Sequence, residues 1–260
     1  MVRLSIIIPV FNEERFLKRC LDSVCGLPDD VQVIVINDGS TDGSQKIFEE
    51  YKNEGFFFGN HITNSGVSET RNEGIADAQG DWITFLDSDD CLTPNGIQTM
   101  LDVIDEHPDL EVIQMNHLRC QKDGRFILDP RYYSSPGFHD LKNLPPKWAL
   151  VWNKLYKVSF LIEHDIYFPP FQQFDEDRCF NLQCLSHTKG LYCVEQAAVI
   201  KHFDNDQSLC HVMNRQKITE ALRELIRMME YEDDPEMVNL IRESLMMHLN
   251  SKRFKNIFKI

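Results

Sequence analysis

Three carboxylates, Asp87, Asp89 and Asp90, fall within four positions, directly after the apolar run Trp-Ile-Thr-Phe-Leu of residues 82–86. Acids crowded at a strand end repel one another unless a cation sits among them. Hard oxygen donors of this kind suit Mg²⁺ or Mn²⁺, which combine one or two carboxylates with substrate phosphates. Read alone, the motif also fits a solvated acidic turn. Other polar candidates follow apolar runs in the same way: Phe11-Asn12 after residues 4–9 and Asp38 after residues 31–36, with Arg71 beyond a third. A further acidic group, Asp175-Glu176-Asp177, opens a helical pattern, where negative charge complements the helix dipole.

The elements that must position these residues alternate. Ile6, Ile7 and Ile8 lie in an unbroken apolar run, the mark of a strand buried on both faces. Asn12 is the expected cap of a helix with Glu13 and Glu14 in its first turn, and Phe16, Leu17, Cys20, Leu21 and Val24 repeat at helical spacing. A strand over 31–36 leads to Asn37-Asp38-Gly39-Ser40, and Thr41 or Asp42 is expected to cap the next helix. A third strand within 56–62, a helix carrying Arg71 and Asn72, and a strand over 82–86 follow. This order predicts a mostly parallel sheet with helices on both faces, whose ligands bind at the carboxyl ends of the strands. Phe11, Asp38, Asp87 and Asp89 would all lie on that rim, with Arg71 in reach. Pro9-Val10-Phe11-Asn12 stands where a dinucleotide-binding Gly-x-Gly-x-x-Gly turn would be, and no Gly-x-x-x-x-Gly-Lys-Ser/Thr phosphate loop occurs.

Beyond residue 94 the spacing predicts a helix over 95–106, a strand over 111–115, a hairpin turn at 122–124 and an irregular loop over 130–146. Trp152 is either a core residue or an aromatic floor for a sugar ring. Two strands are expected at 191–194 and 197–202. Helices follow, with Ile218, Leu222, Leu225, Ile226 and Met229 inward on the first and Leu240, Leu245, Met246 and Leu249 on the second. The expected divisions are 1–118, 119–212 and a helical appendage, 213–260.

The chain has 260 residues, 42% of them hydrophobic, enough for a substantial core, and a net charge of −14. That charge argues against nucleic acid as a partner, since phosphate-backbone binding relies on basic patches. No secretory signal or membrane-length apolar run is read, and the eight cysteines lack Cys-x-x-Cys spacing, so a reducing, cytoplasmic setting is expected. The last ten residues reverse the overall sign, with Lys252, Arg253, Lys255 and Lys259 interleaved with Phe254, Ile257 and Phe258. Such a tail suits peripheral association with the inner membrane face.

Four ordered motifs carry a resemblance: residues 5–14 (SIIIPVFNEE), 35–44 (VINDGSTDGS), 64–72 (NSGVSETRN) and 85–90 (FLDSDD). Together the chain resembles the family 2 glycosyltransferases. The resemblance implies an α/β fold of GT-A type, with a mostly parallel Rossmann-like sheet, an acceptor-side extension and C-terminal helices. It implies a metal-dependent inverting transfer, with Mn²⁺ or Mg²⁺, from a nucleotide-diphospho-sugar, a UDP-hexose or UDP-N-acetylhexosamine. The acceptor would be a hydroxyl of a glycan or lipid-linked sugar in bacterial-type surface-polysaccharide synthesis. By the same match Phe11 packs on the base, Asp38 hydrogen-bonds it, Arg71 faces the diphosphate, Asp87 lies near the ribose and Asp89 binds the metal. Glu176, Asp177 and Phe180 match a Glu-Asp-x-x-Phe pattern, which makes Asp177 the base and places Glu176, with Trp152, on the acceptor side. His202, Gln207, Ser208 and His211 fall where the family often carries a loop over the nucleotide, and His211 is a candidate extra ligand. A sugar-phosphate nucleotidyltransferase would need a glycine-rich basic loop after the first strand, which is absent. An inactive scaffold of the same fold would have lost the acids, and Asp38, Asp87, Asp89 and Asp177 are present.

Overall fold

The structure, a computed structural model, describes residues 1–121, 123–130, 133–170, 172, 174–203 and 214–258. The first half alternates as the spacing predicts: β1 (Leu4–Val10), α1 (Leu17–Asp22), β2 (Val31–Asn37), α2 (Ser44–Glu50), β3 (Phe57–Asn60), α3 (Val67–Asp77) and β4 (Trp82–Phe85). Next come β5 (Cys91–Leu92), α4 (Gly96–Glu106), β6 (Val112–Cys120), β7 (Phe126–Leu128), β8 (Gly137–Asp140), β9 (Lys154–Lys157) and α5 (Val158–Glu163). The chain then runs through α6 (Glu176–Thr188), β10 (Gly190–Lys201), α7 (Arg215–Tyr231), α8 (Pro235–Asn250) and α9 (Lys252–Phe258).

One sheet organises these elements in the order β3-β2-β1-β4-β9-β6-β10-β5, with β7 paired to β6 and β8 to β10. β3, β2, β1 and β4 are mutually parallel, while β9 enters antiparallel between β4 and β6. Successive side chains of a strand face opposite ways, so the isoleucines of β1 divide between two cores. Ile6 and Ile8 join Leu17 and Leu21 of α1, whereas Ile7 joins Ile34, Phe85, Phe168 and Phe180. Leu225 of α7 and Met237, Leu240 and Ile241 of α8 belong to that second cluster. Gly74 lets α3 lie directly on β1, since a Cβ there would come within 2.4 Å of Ile7 Cγ2.

Several local expectations are corrected. Asn12 does not cap a helix: it takes the left-handed conformation (φ 56°), and its Oδ1 accepts from Thr41 N at 2.8 Å. Glu14 likewise reaches across to accept from Gly43 N. These residues tie the β1 and β2 turns together, and α1 starts at Leu17 without a side-chain cap. α2 starts at Ser44, whose N–H Asp42 accepts. The segment 130–146 is not wholly irregular, because β8 pairs antiparallel with the start of β10. The two strands expected at 191–202 are one strand, interrupted by register shifts between Cys193 and Val199. Ile226 and Met246 are exposed. The hairpin at Asp123-Gly124 is present, with Gln121 N donating to Arg125 O. His211 and Lys259 lie outside the described residues.

Candidate active site

The carboxyl ends of β1, β2 and β4 deliver Phe11, Asp38 and Asp87 to one rim, because parallel pairing aligns Val10 with Asn37 and Ile7 with Phe85. Phe11 is 37% exposed, an aromatic ring left open at the end of a strand buried except at Pro9. Asp38 is buried and bound from one side: Oδ1 accepts from Ser65 N at 2.6 Å, Oδ2 from Gly66 N at 2.9 Å, and His61 Nδ1 lies 2.8 Å from Oδ1. Its first task is therefore to hold the loop that starts α3. A carboxylate has about four lone-pair positions, so one remains for another donor.

α3 brings Arg71 into the interior, between the sheet rim and the start of α6. Its guanidinium donates through Nη1 to Glu176 at 2.9 Å and Asp177 at 2.7 Å, and through Nη2 to Asp87 at 3.3 Å. The Phe168 ring flanks it, with the guanidinium carbon 5.2 Å from the ring centre. Such a planar, delocalised cation tolerates burial when its fork is matched by carboxylates. Here one Arg faces three. Burial pushes the Glu176 carboxyl up to about 7, with its neighbour Asp177 adding to the rise against Arg71. Burial also raises Asp177, and Arg71 opposes it. For Asp87 the balance reverses, since Lys201 and Arg71 outweigh burial and hold its carboxyl below the ordinary range.

Asp177 is reached from a second direction by Val151 N, 3.4 Å from Oδ2. The turn bearing Val151 is braced by Lys154, a fully buried cation of β9 that donates to the carbonyls of Leu150 and Lys147 and to Asn153 Oδ1. Burial lowers the Lys154 ammonium to about 7. The Asp177 peptide is tied in turn by Asn181, which donates to its carbonyl at 2.9 Å. Sequence reasoning left Lys154 and Asn181 without roles, because the carbonyls of Leu150 and Asp177 that they bind are backbone groups no side-chain pattern announces.

One oxygen each from Asp87, Asp89 and Asp90 lies within 4.8 Å of the others. The donors are all hard oxygens on a short, held turn, a set that fits a divalent cation such as Mg²⁺ or Mn²⁺. Asp90 is wholly buried and already committed, accepting from His202 N at 2.8 Å and from Lys201 Nζ at 2.6 Å. Lys201 also donates to Asp87 at 3.0 Å and lies 4.0 Å from Asp89 Oδ1. Arg19 of α1 donates to the Asp89 carbonyl. Asp90 is thus the anchor beneath the turn, and both oxygens of Asp87 are engaged as well, one by Lys201 and the other by Arg71. Lys201 went unread in the sequence, since only tertiary pairing sets the last residue of β10 beside residues 87–90.

Trp152 is not an open platform. It is 5% exposed, packs edge-on to His117, and has Lys201 Nζ 5.1 Å from its ring centre. A pyranose needs an accessible aromatic face, and this ring supports the site from below.

Residues 5–173 match the description Glycosyl transferase family 2. The chain is 27% identical over 229 residues to the uncharacterised glycosyltransferase EpsJ of Bacillus subtilis, covering 84% of this chain and 66% of EpsJ. It is 29% identical over 189 residues to the poly(ribitol-phosphate) beta-N-acetylglucosaminyltransferase TarS of Staphylococcus aureus, covering 70% of this chain and 32% of TarS. The chain therefore spans only part of the length of these relatives. In three dimensions it superposes on S. aureus TarS 1–349 in complex with UDP-GlcNAc with a TM-score of 0.79, at 20% identity, over 98% of this chain and 78% of that one. The mannosyltransferase PcManGT of Pyrobaculum calidifontis, solved with GDP-Man and Mn²⁺, gives a TM-score of 0.63 at 14% identity, over 95% of this chain and 70% of that one. These likenesses establish the GT-A fold. Because the family match runs from β1 through α5, and so takes in most of the rim just described, the chain belongs to glycosyltransferase family 2.

Proposed function

We propose that this protein is a metal-dependent inverting glycosyltransferase that moves a hexose or N-acetylhexosamine from a UDP-sugar to a hydroxyl of a glycan or lipid-linked acceptor in surface-polysaccharide synthesis. The observation that carries the reading is Arg71, which touches Asp177 on one side and Asp87 on the other. One fixed cation thereby spans the distance between a proton acceptor and the acids suited to a metal and diphosphate, as a single-displacement transfer requires. The nucleotide-sugar donor is supported by TarS, whose solved complex contains UDP-GlcNAc, and the pathway by the poly(ribitol-phosphate) substrate in that relative's name.

In this reading Phe11 stacks on the base and Asp38 offers its remaining lone pair there. Asp87 faces the ribose and Asp89 holds the metal, Mn²⁺ or Mg²⁺, which when bound neutralises charge on the leaving diphosphate. Arg71 adds a second cation on the diphosphate side. Asp177 takes the proton of the acceptor hydroxyl as that oxygen attacks the anomeric carbon from the face opposite the diphosphate, so the configuration inverts and no covalent enzyme intermediate forms. Glu176 lies on the acceptor side and shares Arg71 with the base. The burial of Asp177 supports a carboxylate more basic than one in water, against the opposing pull of Arg71 and of Val151 N–H.

A cytoplasmic protein at the inner membrane face completes the proposal. Among the described residues no helix is long and apolar enough to cross a membrane. Of the C-terminal residues, Lys255 is exposed while Phe254 is buried, which favours electrostatic contact over apolar insertion.

The decisive test is turnover of a panel of UDP-sugars with Mn²⁺, measured as UDP release, for the native protein and Asp177→Asn. Release by the native protein and its loss in the variant supports the reading. If none of the panel is turned over and UDP does not bind, the assignment fails.

A further inference from the structure

A histidine near the end of the chain grips the turn that carries the proposed base. Asp175 immediately precedes Glu176 and Asp177 and takes the left-handed conformation, φ 60°. A non-glycine residue adopts it at a cost in free energy unless its surroundings enforce it. As the N-cap of α6, Asp175 would ordinarily turn its carboxylate to the first backbone N–H groups of the helix, yet it makes no such bond. Both oxygens go elsewhere. Arg178 Nε donates to Oδ1 at 3.1 Å and to Oδ2 at 2.9 Å, and His248 Nε2, in the last turn of α8, lies 2.7 Å from Oδ2. A carboxylate only accepts, so Nε2 carries the proton of that bond. None of the three side chains is more than 14% exposed. The Phe174 ring packs edge-on to the imidazole. The Arg178 guanidinium carbon lies 5.2 Å from the centre of the Trp148 ring, at the start of the segment that offers Val151 N–H to Asp177.

α8 also holds the other end of α6. Lys189, the C-cap of α6, is left-handed as well, φ 57°, and its ammonium pairs at 2.9 Å with Asp234, the N-cap of α8. The two helices therefore lie antiparallel, and the residues at which the chain turns into and out of α6 are both bound by α8. The Lys189 pair is the more exposed of the two, and solvent-exposed pairs of this kind stabilise little. The enclosed His248 contact is the one able to fix geometry. Any change in the backbone angles of Asp175 swings Glu176 and Asp177, whose carboxylates stand 2.9 and 2.7 Å from Arg71 Nη1.

We propose that His248 is a positioning residue for the transfer reaction: by binding Asp175 it holds the left-handed turn that aims Glu176 and Asp177 at Arg71. α8 is then part of the catalytic unit and not an appendage to it, a role that rests on Asp177 being the base. His248 acts through Asp175 and takes no proton from the acceptor.

Turnover of UDP-sugars and backbone hydrogen exchange together test this. His248→Ala should lower kcat by about ten- to a hundredfold, the scale of a small misplacement of a reacting group. KM for the UDP-sugar should change little, because the nucleotide rim is built on β1, β2 and β4. His248→Gln, which can present an N–H to Asp175, should recover most of the loss. On the residual turnover of Asp177→Asn, adding His248→Ala should cost nothing further, since residues that act as a unit are not additive. A merely structural role would lower turnover in both backgrounds. Amide exchange over residues 175–181 should quicken in His248→Ala while β1 and β2 stay protected. Unchanged kcat, an undiminished further loss in the Asp177→Asn background, or unchanged exchange at the start of α6 overturns the proposal. Should His248→Ala not fold, Asp175→Asn decides instead: it keeps the size and left-handed tolerance of Asp175 and weakens its hold on His248 and Arg178. It should show the same lower kcat and faster exchange, and native values for both overturn the proposal. Any of these failures beside normal native turnover removes this role alone, whereas a native protein that turns over no UDP-sugar removes the glycosyltransferase reading and the role with it.

Discussion

Arg71 is the residue through which the two halves of the proposed reaction communicate. Its Nη1 is shared between Glu176 and Asp177, while its Nη2 goes to Asp87. Removing the base without removing the charge network is therefore possible only by a near-isosteric change. Asp177→Asn should lower turnover by roughly 10²–10⁴-fold, the scale of general-base catalysis, with UDP-sugar binding nearly unchanged by calorimetry. A variant retaining near-normal transfer would move the role to Glu176 or Asp175. The same acids set the pH dependence. Burial raises both carboxyls, Glu176 to about 7 and Asp177 above its ordinary value, so each gains its proton at a higher pH than a free carboxylate, and a protonated base cannot accept the acceptor's proton. The kcat/KM profile should show an acid limb above the ordinary carboxylate range that belongs to the pair. Glu176→Gln removes the like charge beside Asp177 and should move the limb to lower pH; a limb at the ordinary carboxylate value in the native protein would contradict the shared environment.

At the scale of the element, α3 decides where that guanidinium sits. Two contacts place the helix: Gly74 against Ile7, and the Asp38 carboxylate on the backbone of Ser65 and Gly66, immediately before Val67. Gly74→Ala puts a methyl group within 2.4 Å of Ile7 Cγ2, and overpacking of this kind costs about 1–3 kcal/mol, readable as a lower midpoint in urea. Asp38→Ala strands two backbone donors near the helix start, at about 1–3 kcal/mol for each one left buried and unsatisfied. It should also weaken UDP-sugar binding, because the loop it holds leads into the helix that carries Arg71. Loss of UDP binding with full stability would reduce Asp38 to a ligand contact alone. His61 adds a pH term. Burial opposes its charge, but hydrogen bonds to Asp38 and Glu73 win and raise its pKa. A raised folded-state histidine contributes stability that is full below the unfolded value of about 6.5 and is lost as pH rises through the folded value.

For the whole molecule the question is charge. The whole chain carries a net charge of −14 and its acidic body should be repelled by anionic lipid, yet the last ten residues hold four cations and no acid. α9 is tied back to α7 through Arg215 Nε, which donates to Ile257 O at 3.1 Å, and Phe254 is turned inward. Charge is the contribution expected at a membrane, with each basic residue near an anionic surface contributing about 1 kcal/mol. Binding to vesicles containing phosphatidylglycerol should therefore be weak, disappear at high salt and decrease when residues 251–260 are removed. Co-sedimentation unchanged by that deletion at low salt would place the contact elsewhere.

Much of this molecule was determined by local sequence. The strands at 4–9, 31–36 and 82–86 were legible because short apolar runs rich in β-branched and aromatic residues favour strands, and the ends of those runs marked Phe11, Asp38 and Asp87 to Asp90 before any pairing was known. Residues whose work is done across the chain were not legible. Asn12 had the composition of a cap, but the approach of the β2 turn made it a cross-link. Trp152 suited a sugar floor until β10 laid Lys201 over it. Glu176 and Asp177 looked like charge at a helix start, and only the packing of α3 against α6 brought Arg71 within hydrogen-bonding distance, 105 and 106 residues away in sequence. The physical reason is range. Periodicity, capping and turn chemistry act over a few residues and can be read from their order, whereas ion pairing and burial depend on which distant segments share a volume, and the sheet decides that.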